Sequence, residues 1–396
     1  MPGIDTHRDE RFMDLALALG RRGLGNAWPN PAVGAVAVDT AGAAPVIVGR
    51  GWTQPGGRPH AEAEALRRAG ARARGATLYV TLEPCSHHGV TPPCVEAIIA
   101  AGIARVVSAI EDPNPEVAGQ GHARLAAHGI AVEVGLRGAA ARRAHAGHFS
   151  RVRDGRPFVT LKLAVSADGK AGLAGRKPAA ITGEGARARA HLMRAMNDAV
   201  LIGIGTALAD DPLLTCRLPG LEARSPVRVV LDTALRLPPT ATLVRTARTT
   251  PVWVVAGPAA GEEAERRLRS LGVEVLRCGA TAGRIDPAAM LRLLASRRIT
   301  RLMVEGGPTV AASLIAAGLV DQAAIFRART AIGADGIDAL EGMSLSALTA
   351  SPRFALRGIE AVGEDTLETF ERTSEGLGQS ARTLRVPGDD EPEPLR

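Results

Sequence analysis

Apolar and polar residues in the first part of the chain alternate with the spacing of helices and strands. Residues 11–21 predict an amphipathic helix, because Phe12, Leu15 and Leu19 lie on one face of it. Further helices are predicted at 60–69 and 94–101, and strands at 32–38, 46–52, 77–82, 106–110 and 130–134. Helices that alternate with strands in this way predict a three-layer α/β domain.

The alternation returns after residues 135–156, which have no strong period and predict a helix-containing connector. Strands are then predicted at 158–165, 199–204, 227–231, 252–255, 273–276, 301–304, 323–326 and 367–370, and helices at 184–196, 287–296 and 310–317. We therefore expect one domain over residues 1–145 and a second over 146–372. The last residues, 373–396, are polar and rich in glycine and proline, which predicts a disordered tail.

Composition and charge indicate which kind of molecule the protein binds. The chain has 396 residues, enough for two or three domains, and carries a net charge of +7 from 48 basic and 41 acidic residues. Arginines are spread along the whole chain, and aromatic residues make up only 3% of it, which leaves little to build a base-stacking platform. The charge is thus expected to serve small phosphorylated substrates, and no nucleic-acid partner is expected.

Apolar runs and cysteines indicate the compartment. No apolar run reaches the ~18 residues that a membrane span requires, and residues 1–10 carry no signal-peptide core. The four cysteines suit a reducing compartment with free thiolates. We therefore expect a cytoplasmic protein without a membrane partner.

Four residues of the first domain predict a metal centre. His60, Cys85 and Cys94 offer one imidazole and two thiolates, a ligand set that leaves a fourth zinc position open for water. Glu62 follows His60 after one intervening residue, in the place where zinc deaminases have a proton carrier that is not a ligand. The pattern predicts one zinc ion per chain and hydrolytic deamination, with Glu62 as the catalytic residue.

The spacing of the cysteines and seven motifs carry a family resemblance. Eight residues separate Cys85 from Cys94, whereas deaminases of nucleic-acid bases usually have two. The motifs are T-L-E-P-C-S-H-H-G-V-T-P-P-C at 81–94, P-N-P-A-V-G at 29–34, H-A-E at 60–62, D-P-N-P at 112–115, L-K-L-A-V-S-A-D-G at 161–169, T-A-L-A-D-D-P at 206–212 and V-E-G-G-P at 304–308. Over residues 8–370 the chain resembles the bifunctional deaminase/reductase family of riboflavin biosynthesis.

The resemblance implies a fold and a pair of activities. It implies a cytidine-deaminase-like first domain and a dihydrofolate-reductase-like second domain. The first would hydrolyse the 2-amino group of 2,5-diamino-6-(5-phosphoribosylamino)pyrimidin-4-one, and the second would use NADPH to reduce the ribosyl group to ribityl. It also implies that Asn30 binds the pyrimidine, although the residues alone leave open an Asn that only shapes its Pro-Asn-Pro turn.

The same resemblance assigns residues to the reductase site. It implies substrate contacts at Lys162, Arg194, Leu214, Arg217 and Glu305, and cofactor contacts at Ala164, Thr206, Asp210, Gly307, Pro308 and Thr309. From the residues alone, glycines before a helix let backbone amides approach a pyrophosphate, but such a turn is often only a turn. The chain lacks the G-x-G-x-x-G fingerprint at this turn, which argues against a standard Rossmann site. Lys162 in an apolar strand suggests either a required ammonium or the polar face of that strand.

Several positions depart from the family pattern. Val90 stands where the family commonly has Arg, and Pro178 and Ala180 stand where it has Ser and Trp. These two losses motivate an alternative, an active deaminase whose second domain only binds substrate or oligomerises. The roles of His87 and His88, beside the cysteines, stay open, and so does a homo-oligomer formed through the second domain. A nucleic-acid base deaminase is disfavoured by the cysteine spacing and the few aromatics.

Overall fold

The computed structural model describes residues 6–42, 44–89, 91–115, 117–173 and 181–373. The described residues fall into two compact units. One is drawn from Met1–Thr160 and Arg187–Gly306, and the other from Leu161–Ala186 and Gly307–Arg396. The expected domain limits, 1–145 and 146–372, stay predictions, and nearly all of the expected tail lies outside the described residues.

A mixed sheet forms the centre of the N-terminal part of the first unit. Its strands are β1 (Gly34–Asp39), β2 (Val46–Trp52), β3 (Thr77–Val80), β4 (Arg105–Ser108) and β5 (Ala131–Val134). They lie in the order β2-β1-β3-β4-β5, antiparallel from β2 to β3 and parallel from β3 to β5. Because β3 and β4 are parallel, their carboxyl ends share one edge of the sheet, and the loop with Cys85 begins there.

Helices cover both faces of this sheet, as the sequence pattern predicts. They are α1 (Thr6–Gly20), α2 (Ala61–Ala69), α3 (Cys94–Ala100), α4 (Gln120–Ala127), α5 (Gly138–Ala144) and α6 (Ala146–Asp154). Alternate residues of β1 enter different cores: Ala35 packs with residues of α2 and α3, whereas Val36 packs with residues of α1 and α5. The three-layer arrangement is confirmed.

From residue 158 onward strands and helices alternate again. The strands are β6 (Phe158–Val165), β7 (Lys170–Gly172), β8 (Ala199–Gly203), β9 (Val227–Leu231), β10 (Val252–Ala256), β11 (Glu274–Arg277), β12 (Ala280–Thr281), β13 (Arg284–Ile285), β14 (Arg301–Val304), β15 (Gln322–Arg327), β16 (Ile337–Asp338), β17 (Phe354–Val362) and β18 (Asp365–Arg372). The helices are α7 (Glu184–Ala195), α8 (Ile204–Asp210), α9 (Thr242–Arg245), α10 (Glu262–Ser270), α11 (Pro287–Ser296), α12 (Pro308–Ala316) and α13 (Ser346–Thr349).

The two units use these strands differently. In the first unit the order is β11-β10-β9-β8-β14, with each neighbouring pair parallel, and the central strands are buried on both faces. In the second unit the order is β6-β15-β18-β17, with β18 antiparallel to β15 and β17. Strand β17 is mostly exposed, so it shows no clear apolar pattern and was not predicted from the sequence.

Candidate active site

Three short connections bring the predicted zinc ligands together. His60 is the residue that precedes α2, with an extended backbone (φ −69°, ψ 161°), so its side chain lies at the start of the helix. Cys94 is the first residue of α3, directly after Pro93. Cys85 follows β3 in the loop at the carboxyl edge of the sheet, and its thiol accepts the backbone N–H of Cys94 at 3.3 Å.

The distances between the donor atoms fit a zinc ion. The Nδ1 atom of His60 lies 3.3 Å from Sγ of Cys94 and 3.7 Å from Sγ of Cys85. With Zn–N bonds of about 2.0 Å and Zn–S bonds of about 2.3 Å, neighbouring donors of a tetrahedral site lie about 3.6 Å apart. One imidazole nitrogen and two sulfurs within 4.8 Å of one another are therefore a suitable donor set for this metal.

Glu62 belongs to the same site as the three donors. It sits in the first turn of α2 and is only 3% exposed, with its carboxylate within hydrogen-bond reach of Cys94. Burial raises the pKa of Glu62, because a buried carboxylate loses its hydration. A hydrogen bond from Cys94 and another from His60 lower the pKa of Cys85 to about 4, so this sulfur is a thiolate at neutral pH.

Asn30 contacts the imidazole that would hold the metal. Its Nδ2 donates to the carbonyl oxygen of Gly57 at 2.9 Å and lies 3.2 Å from Nε2 of His60. The second contact can orient the ring while Nδ1 faces the two sulfurs. This places Asn30 beside the site, and its binding of the pyrimidine stays a prediction.

Two further histidines in the cysteine loop do not join the cluster of donor atoms. His87 and His88 are both exposed, and the donor set found in this loop consists of His60, Cys85 and Cys94. Val90, the departure from the family pattern in this loop, lies outside the described residues. The roles of the two histidines stay open.

Glu83, inside the motif before Cys85, was not singled out from the sequence. Its buried carboxylate accepts the backbone N–H groups of Asp112, Gly119 and Gly121 at 3.1, 3.0 and 2.8 Å. A Cβ on Gly121 would come within 2.1 Å of the Pro84 carbonyl, so only glycine allows this approach. Glu83 thereby holds the loop that carries the D-P-N-P motif against the cysteine loop. The only signal in the sequence for this role was an acidic residue directly after an otherwise apolar predicted strand.

Glu83 also belongs to a second group of potential metal donors, with Glu111 and His122. Glu83 and His122 are buried, and Glu111 is exposed. The backbone amides already occupy both oxygens of Glu83, so we interpret this group as a structural anchor.

Two histidines of the connector pack against this region. His148 Nε2 lies 3.1 Å from the Asp112 carboxylate, and His145 Nε2 lies 3.1 Å from both oxygens of Thr81. Burial lowers the pKa of His145 to about 3, so the ring is neutral at pH 7 and its Nε2–H can donate to the Thr81 carbonyl. Sequence reasoning recognised the connector as helical but missed these contacts.

In the first unit, the predicted reductase residue Arg194 pairs with Glu305. The guanidinium donates through Nε and Nη2 to the two carboxylate oxygens at 2.6 and 2.8 Å, and through Nη1 to the Thr215 carbonyl at 3.1 Å. Both side chains are largely buried. The structure thus brings together two residues that the sequence analysis placed in one site. Arg194 was predicted to contact the substrate, and in the structure its guanidinium contacts a protein carboxylate.

The other predicted residues of this unit lie on short segments near α7 and α8. Arg217 is exposed, and its backbone N–H donates to Nδ1 of His191 at 3.3 Å. Leu214 is buried with a φ of +56°, an uncommon conformation for a branched side chain. Thr206 and Asp210 lie in α8, Thr206 partly buried and Asp210 exposed at its last position.

The second unit holds the remaining predicted residues. Lys162 and Ala164 are half-buried on β6, and the Lys162 ammonium lies 5.8 Å from the centre of the Phe326 ring. Gly307 precedes α12, and Pro308 and Thr309 are its first two residues. Their contacts with substrate or cofactor stay predictions. The departures Pro178 and Ala180 lie outside the described residues.

Asp168, in the S-A-D-G motif, has a structural role that sequence reasoning did not assign. Its carboxylate accepts the hydroxyl of Ser166 at 2.5 Å and the N–H groups of Ile332 and Gly333 at 3.0 and 2.8 Å. These hydrogen bonds hold the pKa of Asp168 well below its ordinary value. The residue therefore joins the turn after β6 to the segment before β16.

Two protein families match the chain. The cytidine and deoxycytidylate deaminase zinc-binding region matches residues 6–110, and the RibD C-terminal domain matches residues 157–367. The first match contains all three donor residues and Glu62. The second contains every residue predicted for the reductase site.

Similar whole proteins support both matches. The chain is 40% identical to the riboflavin biosynthesis protein RibD of Escherichia coli over 90% of this chain and 98% of that protein. The RibD of Bacillus amyloliquefaciens is also 40% identical, over 90% of this chain and 94% of that protein. Among solved structures, Acinetobacter baumannii RibD has a TM-score of 0.82 at 34% identity, covering 93% of this chain and 100% of that one.

The fold, the donor set and these matches define a zinc-binding deaminase joined to a reductase, both in the α/β class. More particularly, the chain belongs to the RibD family of riboflavin biosynthesis proteins. It is a bifunctional enzyme with deaminase and reductase activities, and the family implies zinc and NADPH as its cofactors. The reductase match favours an active second domain over the non-catalytic alternative.

Among the residues that the structure describes, none of the helices combines the length and the apolar character needed to cross a membrane.

Proposed function

We propose that the enzyme first hydrolyses the 2-amino group of 2,5-diamino-6-(5-phosphoribosylamino)pyrimidin-4-one and then reduces the ribosyl group of the product to ribityl. The observation that carries the first step is the convergence of His60, Cys85 and Cys94 with the buried Glu62. The name of a similar Thermotoga maritima protein, a diaminohydroxyphosphoribosylaminopyrimidine deaminase/5-amino-6-(5-phosphoribosylamino)uracil reductase, supports the substrate. Its structure is 35% identical, with a TM-score of 0.79, and covers 93% of this chain and 99% of that one.

In the deaminase, His60, Cys85 and Cys94 would hold the zinc ion. When bound, zinc supplies a Lewis acid that makes hydroxide available from water near neutral pH. Glu62 accepts the proton from this water on a carboxylate oxygen and delivers it to the leaving amine. Its raised pKa suits both steps, because an acid-base group works best when its pKa lies near the working pH.

The substrate ring is held by the residue next to the first ligand. Asn30 presents an amide from a rigid turn, with its Nδ2 already 3.2 Å from the His60 ring. An amide can donate to one edge of a pyrimidine and accept from it. We propose that Asn30 sets the orientation that brings the 2-amino carbon to the site.

In the reductase, NADPH supplies the hydride. The cofactor phosphates are assigned to the start of α12, where Gly307 precedes the helix and the helix N-terminus favours an anion. Ala164, Thr206 and Asp210 are assigned further cofactor contacts.

The substrate of the reductase is assigned to a second group of residues. These are Lys162, Arg194, Leu214, Arg217 and Glu305. Lys162 and Arg217 offer positive charges for a phosphorylated sugar, and the Arg194–Glu305 pair keeps a carboxylate in a fixed position.

The partners follow from this chemistry. We propose small phosphorylated pyrimidines as the molecules bound, a cytoplasmic location and no nucleic-acid substrate. Tight, salt-sensitive binding of single-stranded RNA would argue against the last point. The oligomeric state is left open.

The experiment uses zinc-loaded enzyme, the diaminopyrimidine ribosyl phosphate and NADPH, with ammonia and NADPH absorbance followed together. We expect ammonia release followed by NADPH oxidation. Glu62→Gln should slow ammonia release about 10²–10⁴-fold while zinc content stays unchanged. Glu64→Gln is the matched control, since Glu64 lies on the same helix but pairs with Arg67 and Arg68.

Each failure has a separate meaning. If wild-type enzyme releases no ammonia, the proposed substrate is wrong. If Glu62→Gln keeps full activity, the substrate stands and the role of Glu62 is wrong. Ammonia without NADPH oxidation would revive the non-catalytic alternative for the second domain.

A further inference from the structure

Arg58 lies between the two segments that carry the candidate zinc ligands. It stands two residues before His60 and donates from Nη1 to the hydroxyl of Thr91. Its Nη2 lies 3.3 Å from the position that a Cβ on Gly89 would occupy. The guanidinium therefore bonds to Thr91 and approaches Gly89, both in the loop that joins Cys85 to Cys94.

Among the residues that the structure describes, Arg58 has no acidic partner for its charge. Residues 86–93 include neither lysine nor arginine, so this loop carries no permanent positive charge of its own. Within the described ranges, no carboxylate forms an ion pair with Arg58. The neighbouring arginines of α2 differ, because Arg67 and Arg68 are both paired with Glu64.

The exposure of Arg58 suits the capture of an anion from solvent. The residue is half-buried, whereas Gly89 and Thr91 beside it are exposed. A partly desolvated guanidinium binds phosphate more strongly than a fully hydrated one, and its planar fork can pair with two phosphate oxygens. The contact with Thr91 uses Nη1 alone of the three guanidinium nitrogens.

We propose that Arg58 binds the 5′-phosphate of the deaminase substrate and makes the deaminase selective for the phosphorylated form. This proposal rests on the proposed function, since it needs the substrate's phosphate to lie at the rim of the zinc site. Arg58 supplies the positive charge that the cysteine loop lacks. It is a substrate-binding residue and takes no part in the proton transfers of Glu62.

The test compares the phosphorylated substrate with the same compound after removal of its phosphate. Arg58→Ala should raise the KM for the phosphorylated substrate about 10- to 100-fold, the range expected for lost hydrogen bonds to a charged group. The KM for the dephosphorylated substrate and the zinc content should not change. Arg72→Ala is the matched control, because Arg72 is an exposed arginine of the same domain that follows α2.

A second variant tests whether the effect of Arg58→Ala comes from the lost positive charge or from a changed loop structure. Adding Val90→Arg to the Arg58→Ala variant returns a guanidinium to the same loop. We expect this double variant to recover at least part of the selectivity for the phosphorylated substrate. Inorganic phosphate should inhibit the wild-type deaminase competitively and inhibit Arg58→Ala less.

Three results would overturn the proposal. One is an unchanged KM for the phosphorylated substrate in Arg58→Ala. Another is an equal rise in KM for both substrates, which would show that Arg58 only supports the loop. The third is an unchanged competitive effect of phosphate in the variant. Failure of wild-type enzyme to release ammonia from either compound would instead reject the proposed function.

Discussion

The carboxylate of Glu83 accepts the backbone N–H of Gly121 at 2.8 Å, across 38 positions of sequence. The same carboxylate accepts the N–H groups of Asp112 and Gly119. One side chain thus fixes the loop that follows β4 against the loop that carries Cys85. The anchor lies two residues before Cys85, although Glu83 is not among the donors of the predicted zinc site.

Replacing Glu83 by Gln tests the anchor. An amide NH₂ would face backbone N–H groups in place of one acceptor oxygen, and an unsatisfied buried donor costs about 1–3 kcal/mol. We expect the free energy of unfolding in urea to fall by about 2–4 kcal/mol, since more than one N–H is affected. Deaminase activity should fall as well.

The control for this change is Glu10→Gln, which alters a partly exposed carboxylate of α1 that pairs with Arg137. Surface ion pairs of this kind contribute about 0–1 kcal/mol. An unfolding free energy for Glu83→Gln that matches this control would mean that the loop is held by other contacts.

Removal of zinc should abolish the deaminase activity and leave the reductase activity intact. After chelation we expect ammonia release to stop, because the three donors of the deaminase lose the ion that they surround. NADPH oxidation with the deaminated pyrimidine supplied directly should continue. The described residues predicted for the reductase belong to neither group of metal donors. Parallel loss of both activities would show that zinc also supports the reductase, and re-addition of zinc is the control for irreversible damage.

The buried His145 should make stability depend on pH. Burial lowers its pKa to about 3 in the folded state, whereas an unfolded histidine has a pKa of about 6.5. Between these values the unfolded chain binds the proton and the folded chain does not. The stabilisation is therefore complete above pH 6.5 and is lost as the pH falls toward 3.

The size of this effect is measurable with a variant. Between pH 7.5 and 5.5 the wild-type protein should lose about 1.4 kcal/mol of unfolding free energy through this one group. His145→Gln should lack that part of the pH dependence, and its Nε2 can still donate to the Thr81 carbonyl. His128→Gln, at an exposed position, should leave the dependence unchanged. Identical pH profiles for wild type and His145→Gln would show that His145 is not responsible.

The Arg194–Glu305 pair should affect only the second activity. Glu305→Gln replaces the carboxylate that accepts two hydrogen bonds from a largely buried guanidinium, which leaves a positive charge without its counterion. We expect NADPH oxidation to fall at least about 10-fold, the effect of losing roughly 1.4 kcal/mol in the transition state. Ammonia release should stay unchanged.

Glu265→Gln is a suitable control for that change, because Glu265 also accepts hydrogen bonds from arginines, Arg269 and Arg277. It lies on α10, which carries none of the residues predicted for the reductase site. Full NADPH oxidation by Glu305→Gln would remove Glu305 from that site. A loss of ammonia release would instead indicate general unfolding.

Apolar periodicity was sufficient to predict the regular elements with strong patterns. Strands β2, β6, β9 and β14 and helix α11 begin and end at the predicted residues. All of them except β2 bury a continuous or alternating apolar set, whereas in β2 only Gly49 and Gly51 are buried. The same information failed for β17, whose residues are mostly exposed, and for α10, whose residues are largely charged. Elements without a buried pattern have little signal in the sequence.

By itself the sequence determined the three-layer domain of the deaminase, and it supplied the residues that we predict as donors and as proton carrier. These depend on residue type and local spacing. Only the tertiary structure decided that Glu83 anchors a distant loop, that Arg194 pairs with Glu305, and that Arg58 reaches the cysteine loop. Such contacts join residues far apart in the chain or on separate loops. Local patterning carries no information about which polar groups meet when those segments pack together.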